Sequence, residues 1–246
     1  MKDLLEHIVE IAERAGKVVL SYYNENVEIE YKQDASPLTA ADIAANRYIV
    51  DKLIDLKPEI PILSEESKHA PWCERKHWTQ FWLVDPIDGT KEFLQHNDEF
   101  TVNIALIEMG KPKLSVIVAP ALEKTWYANG QQAWLKEREG VKLLNTRSNK
   151  PPVVVGSRSH KSKGMSDFLA KIGKHTFVSA GSSLKFCMVA EGAAQYYPRL
   201  APTMMWDTAA GQCIAESAGA KVQDLNGMPL SYHRETLTNS YFIVSS

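Results

Sequence analysis

The hydrophobic period of this chain changes twice, so no single layer of structure can accommodate all of it. In the opening stretch Leu4, Leu5, Ile8, Ile11, Ala12, Ala15, Val18, Val19 and Tyr22 recur every three or four residues, which predicts a long amphipathic helix. A second helix is expected in "TAADIAANRYIVDKLIDL", where Ala41, Ala44, Ala45, Tyr48, Ile49 and Leu53 form one face and Thr39 stands where a cap belongs. The period then shortens. "FTVNIALIE", "LSVIVAP", "TWYANG" and "AWLK" are short β-rich runs separated by Gly or Pro, the pattern of an antiparallel meander. After the polar stretch "NTRSNKPP" at 145–152, strand-like and helix-like runs alternate: "VVVGS", "SDFLAKIG", "TFVSAG", "SLKFCMVAEG", "AQYYPR", "TAAGQCIAESAG", "KVQDL" and "YFIVSS". The expected class is α/β: an α+β lobe over 1–150 followed by an α/β lobe over 151–246, one two-lobed unit without repeats.

A chain of 246 residues can bury a sizeable core. Its net charge of −2 supplies no general attraction for nucleic acid polymers or acidic membranes, so an anionic partner must be held by local positive charge and is expected to be small. Cys73, Cys187 and Cys213 are odd in number, far apart and without a CxxC pair, which disfavours a disulfide framework or a thiolate metal site and fits a reducing cytoplasm. Acids interrupt the apolar residues of the first twenty positions, so no signal peptide or membrane span is read there and the mature protein is expected to begin here. Peripheral association with the inner face of the membrane stays open, as does oligomeric state.

"WLVDPIDGTKEF" at 82–93 runs from an apolar strand into Asp85 and Asp88. Asp before Pro and Asp before Gly are both common in turns. A second reading is a hard divalent cation, which needs further oxygen ligands. "ILSEES" offers Glu65 and Glu66, and "MMWDTAAG" offers Asp207 ahead of a small-residue helix. Each also has a plainer reading: Glu65 and Glu66 as a solvated pair, Asp207 as an N-cap. Acids at the ends of apolar elements in three separate segments suggest a metal site, but spacing alone does not bring them together.

"DPIDGT" after a strand, "EE" about twenty residues earlier and "WDTAAG" in the second half resemble the signatures of the inositol monophosphatase superfamily of Mg²⁺-dependent, lithium-sensitive phosphatases. "SPLTAAD", "LSEES", "DPIDGTKEF", "GSSLKFCMVAEG", "YPR" and "PTMMWDTAAG" are similar to its bacterial bisphosphate-nucleotidase branch. The resemblance implies a layered αβαβα sandwich with its site between the lobes. It implies that Glu65, Asp85 and the carbonyl of Ile87 hold one Mg²⁺ and that Asp85, Asp88 and Asp207 hold a second; some members of the family use a third ion near the position of Glu65. Two cations would neutralise the phosphate oxygens, which otherwise repel an attacking nucleophile. Asp42 and Thr90 are implied to orient the water, although Thr39 and Asp42 also match a capping box. The resemblance makes Glu65 the coordinating acid of its pair and leaves Glu66 to the outer shell.

Gly89 and Thr90 are expected to open a short helix whose free amides suit an anion, with Pro86 and Gly89 forming a turn that aims both aspartates inward. For a nucleotide carrying a second phosphate, the resemblance assigns Ser157, His160, Gly181, Ser182, Lys185 and Arg199 to the pocket, beside Glu65, Ile87, Asp88, Gly89, Thr90 and Asp207. The implied reaction removes the 3'-phosphate of adenosine 3',5'-bisphosphate by direct attack of water, clearing a by-product of sulfate activation; the 3'-phosphate of its sulfated precursor is a further candidate. A related inositol or sugar phosphatase, or a non-catalytic nucleotide sensor, are the alternatives. The sensor would be marked by a missing carboxylate, and none of the four is missing.

Overall fold

The computed structural model describes residues 2–23, 29–31, 37–147, 151–157 and 163–246. The first part of the chain comprises α1 (Lys2–Tyr23), the hairpin β1 (Ile29–Tyr31) and β2 (Pro37–Thr39), α2 (Ala40–Leu56), β3 (Ile62–Ser64), α3 (Trp72–Arg75), β4 (Gln80–Asp88) and α4 (Thr90–Leu94). There follow β5 (Thr101–Glu108), β6 (Lys111–Ala119), β7 (Lys124–Ala128), β8 (Ala133–Glu137) and β9 (Gly140–Leu143). The remainder is β10 (Val153–Gly156), α5 (Lys163–Ile172), β11 (Thr176–Ser179), α6 (Leu184–Ala190), β12 (Tyr196–Arg199), α7 (Ala209–Ser217), β13 (Lys221–Asp224) and β14 (Phe242–Ser245).

Strands β3 to β9 form a seven-stranded sheet in chain order, antiparallel throughout except for the β3–β4 pair. The expected meander accounts for β5 to β8; β9 and the β1–β2 hairpin carried too little periodicity to be read. The second sheet has the order β11-β10-β12-β14-β13, with parallel pairs around β10 and antiparallel pairs around β14. β14, the last strand in sequence, inserts between β12 and β13.

Alternating side chains of the larger sheet enter two different cores, because helices cover both faces. Trp82, Val84, Val102, Ile104, Val116 and Val118 pack with Ile8, Ala12, Ala15, Ile49 and Leu53 of α1 and α2. Leu83, Ala105, Ile107 and Ile117 face the other way, into a core shared with Phe186 and Cys187 of α6 and Ala210, Cys213 and Ile214 of α7. That core continues through Val155, Tyr197, Val222, Phe242 and Val244 of the second sheet. On the far side of β12, Tyr196 meets Phe168 of α5 edge-on at 5.9 Å. The result is five layers, αβαβα.

Phe186 and Phe242 each meet Tyr197 edge-to-face, at 5.2 and 5.7 Å, contacts that contribute about 0.5–1.5 kcal/mol each beyond their buried area. These rings fasten the start of α6 and the end of β12 to one another, and so fix the relative positions of the 181–185 segment and Arg199. All three cysteines are free, with Cys187 and Cys213 buried and Cys73 exposed. Among the described residues no helix is long and apolar enough to cross a membrane.

Candidate metal centre

Asp85 and Asp88 both lie within β4 rather than in a turn after it, which corrects the expectation placed on Pro86 and Gly89. Three residues apart in a regular strand, they would point to opposite faces. The pairing with β5 shifts between them: Asp85 lies opposite Asn103 and Asp88 opposite Thr101, so β4 carries one extra residue, a β-bulge. Since Asn103 and Thr101 share a face, the bulge brings both aspartates onto it. Pro86 is tolerated inside the strand because it falls in the bulge, where ladder hydrogen bonding is interrupted. The Ile87 N–H donates to Asp85 Oδ1 at 3.1 Å, fixing that carboxylate against its own backbone.

β3 runs parallel to β4 in a register that puts Ser64 beside Val84, and the Glu65 N–H continues the ladder to the Val84 carbonyl at 3.1 Å. Glu65 therefore emerges next to Asp85. Asp207 arrives from the residues ahead of α7, held by the Met204 N–H donating to its Oδ2 at 2.8 Å. It is not the N-cap; Thr208 is. Ligand oxygens of Glu65, Asp85 and Asp207 lie within 4.8 Å of one another, Asp85 being fully buried. Asp88 is close enough to raise the Asp85 and Asp207 carboxyls through its charge.

Burial, followed by the charges of Glu65, Asp88 and Asp207, pushes the Asp85 carboxyl well above the usual carboxylate range. Burial likewise raises Asp207, and it raises Asp88 to about 6 against the opposing influence of Lys185. Gathering like charges around the buried Asp85, with Glu65, Asp88 and Asp207 half-buried beside it, is unfavourable unless a cation joins them. The donors are all hard oxygens, which fits Mg²⁺. Glu66 is not in this group; its carbonyl accepts from Asn46 Nδ2 at 3.4 Å.

Asp42 caps a helix and also meets Thr90. It completes the capping box of α2, receiving the Thr39 N–H at 2.8 Å and the Thr39 hydroxyl at 2.6 Å on Oδ2. Its Oδ1 receives the Thr90 hydroxyl at 3.4 Å, and that hydroxyl also lies 3.3 Å from the Ile87 carbonyl. Gly89 precedes the five-residue α4 at φ 92°, a conformation glycine adopts without strain.

The 181–185 segment abuts this loop. A side chain on Gly181 would meet the Glu99 carbonyl and Glu92 Cγ at 2.8 Å, and the Gly181 N–H donates to Glu99 Oε2 at 2.7 Å. Ser182 sits at φ 43° with its Oγ buried and without a hydrogen-bond partner, and Arg199 Nε is likewise buried and unpartnered, among the described residues. Ser157 and Arg199 line one small pocket with Tyr197. Lys185, expected to donate to phosphate, donates in this structure to backbone carbonyls. It is 5% exposed, its ammonium donates to the Ala180 and Ser182 carbonyls at 3.1 and 2.5 Å, and it lies 5.6 Å from the centre of the Tyr197 ring. Burial lowers its pKa to about 8, against the raising influence of Asp88. His160 lies outside the described residues. Asn103, Ser183 and Glu99, all bonded into the site, went unread; the register of "FTVN" against "DPID" was the signal that pointed to Asn103.

Along its whole length, residues 1–246, the chain matches the model of the inositol monophosphatase family. It is 50% identical over 245 residues to the 3'(2'),5'-bisphosphate nucleotidase CysQ of Salmonella typhimurium, covering 98% of this chain and 99% of that one. To the protein of the same name from Escherichia coli K12 the identity is 47% over 245 residues, with the same coverage. The crystal structure of CysQ from Bacteroides thetaiotaomicron, a bacterial member of the inositol monophosphatase family, superposes with a TM-score of 0.89 at 36% identity, covering 100% of this chain and 98% of that chain.

Proposed function

We propose a function from one premise: the chain belongs to the inositol monophosphatase family. It is a phosphoric monoester hydrolase with the activity of a 3'(2'),5'-bisphosphate nucleotidase, releasing the 3'-phosphate of adenosine 3',5'-bisphosphate and leaving AMP. The observation that carries this reading is Arg199, whose charge reaches the Asp207 carboxyl and whose Nε, like Ser182 Oγ, is buried and without a hydrogen-bond partner among the described residues. Buried polar groups are nearly always hydrogen-bonded in the working state of a protein. A substrate with a second phosphate supplies acceptors for them; an inositol monophosphate has only its hydroxyls to offer.

In this reading Glu65, Asp85, the Ile87 carbonyl, Asp88 and Asp207 hold Mg²⁺. Bound there, Mg²⁺ would neutralise phosphate oxygens and support charge on the leaving oxygen. Asp42 and Thr90 act on the attacking water. With its proton donated to Asp42, the Thr90 oxygen keeps a lone pair to accept a hydrogen bond from water and so orient it for in-line attack. Gly89 and Thr90 present backbone to the reacting phosphate. Arg199 and Ser182 bind the non-reacting phosphate, with Ser157 lining the same small pocket as Arg199. Gly181, lacking a side chain, lets the loop lie close to Glu92 and Glu99, while Lys185 holds the loop's carbonyls from beneath.

Phosphate release compared across adenosine 3',5'-bisphosphate, adenosine 2',5'-bisphosphate, adenosine 3'-monophosphate and inositol 1-phosphate tests the reading. A kcat/KM at least about tenfold higher on the bisphosphates is expected from one charge-assisted phosphate contact. Equal or better use of inositol 1-phosphate would overturn it in favour of a polyol phosphatase.

A further inference from the structure

Behind Asp88 lies a row of three buried polar side chains in an otherwise apolar face. Thr101, Asn103 and Ser183 are each no more than 2% exposed. Thr101 Oγ1 lies 2.7 Å from Ser183 Oγ, the Ser183 hydroxyl donates to Asn103 Oδ1 at 2.9 Å, and Asn103 Nδ2 donates to Asp88 Oδ2 at 3.4 Å. The next residues along the same face of β5, Ala105 and Ile107, are apolar.

The row has a direction, and its charged end sets it. An ionised Asp88 only accepts hydrogen bonds, so Asn103 must turn its amide N–H toward Asp88 and its carbonyl toward Ser183. Ser183 then spends its one proton on Asn103 and must accept from Thr101. Flipping any member opposes two acceptors somewhere in the row, a costly arrangement in a buried site. The row also crosses between segments: Thr101 and Asn103 belong to β5, whereas Ser183 immediately precedes α6 and adjoins the Gly181–Ser182 loop. The orientation of the Asp88 carboxylate and the position of that loop are thus mechanically joined through one amide.

We propose that Asn103 is a positioning residue that presents Asp88 to the metal and, through Ser183, couples metal binding to occupancy of the 181–183 loop. The proposal rests on the reading of Asp88 as a metal ligand and of the loop as part of the nucleotide site. Partners that orient a metal ligand typically contribute 10- to 100-fold in metal affinity. By linkage, whatever factor nucleotide gains from metal, metal gains from nucleotide.

Calorimetric titration of the metal-free full chain with Mg²⁺, alone and in the presence of AMP, provides a readout independent of turnover. Asn103→Ala is expected to weaken Mg²⁺ binding by about tenfold or more. Ser183→Ala leaves the amide donor on Asp88 and is expected to keep Mg²⁺ affinity within about threefold while reducing the enhancement by AMP. Asn103→Leu, closer in volume, serves the same purpose if the alanine cavity unfolds the chain. Asp88→Asn separates the underlying reading from the proposal. If Asp88→Asn binds Mg²⁺ like the wild type, the ligand assignment fails and the proposal with it. If Asp88→Asn loses affinity while folded Asn103→Ala and Asn103→Leu stay within about twofold of the wild type, Asn103 is only a core latch and the positioning role is overturned. An AMP enhancement in Ser183→Ala equal to that of the wild type overturns the coupling.

Discussion

Replacing Asp85 with Asn should make the metal-free protein more stable and the metal-loaded protein less so. Asn has nearly the same shape and retains an oxygen to accept the Ile87 N–H, so the backbone of the bulge is undisturbed. What disappears is a charge buried among Glu65, Asp88 and Asp207. Two unit charges 4.8 Å apart, the limiting separation within the cluster, repel by about 3–4 kcal/mol at an effective dielectric of 20. Partial protonation already relieves some of that in the metal-free wild type, as the raised carboxyl of Asp85 indicates. A gain of about 1–2 kcal/mol remains, which for a chain of this size corresponds to roughly 2–8 °C in Tm.

In Mg²⁺ the order reverses. A ligand at a hundred times its Kd stabilises the wild type by about 2.7 kcal/mol, and the variant, without the carboxylate central to the cluster, gains little. Phosphate release should fall by at least about a hundredfold, the scale for removing one group that stabilises developing charge. Thermal scans of both proteins in chelator and in Mg²⁺, paired with phosphate release, would show the crossing. A variant less stable than the wild type in chelator would refute the reasoning about buried repulsion. An undiminished Mg²⁺ shift, or near-normal turnover, would refute the place given to Asp85 in the metal site.

In chelator, burial raises Asp88 from 3.8 to about 6, so between those values the folded state binds more protons than the unfolded state and stability falls as pH rises through about 4 to 6. The shift amounts to about 1–3 kcal/mol, read as a urea midpoint that drops relative to Asp88→Asn between pH 4.5 and 7.5; a relative rise would contradict it. Gly181→Ala places a methyl 2.8 Å from the Glu99 carbonyl, and displacement of the loop should cost about 1–3 kcal/mol and raise KM for the bisphosphate; an unchanged KM and Tm would show that the loop's fit is immaterial. Arg199→Met should lower kcat/KM on adenosine 3',5'-bisphosphate by roughly ten- to a hundredfold and leave adenosine 3'-monophosphate nearly unaffected; equal losses on both would remove Arg199 from the phosphate site.

What could be read from the sequence was what local chemistry dictates. The stripe from Leu5 to Val19 must bury itself, and α1 does so against the large sheet. Thr39 and Asp42 cap α2 through contacts three residues apart, but the approach of Thr90 to Asp42 crosses 48 positions and depends on tertiary packing. Pro86 shows the ambiguity of local chemistry most plainly: Asp-Pro and Asp-Gly serve a turn as well as a bulge, and only pairing with Thr101 and Asn103 decides between them. The burial of Lys185 was hidden for a different reason. A lysine in isolation belongs at the surface, yet Lys185 is buried against Tyr197 of the second sheet, where two loop carbonyls and the nearby charge of Asp88 make burial tolerable. Asn103 offered one polar letter in an apolar strand, and its partner Ser183 is 80 positions away. The acids and the lysine break the rule that charges stay in water, and they break it in one place. Their unfavourable energies offset one another only in part, since Lys185 and Arg199 stand against several carboxylates. The remaining negative charge is what a cation would neutralise, so the same departure from local rules that obscured Lys185 is the physical reason to place the proposed metal in this part of the fold.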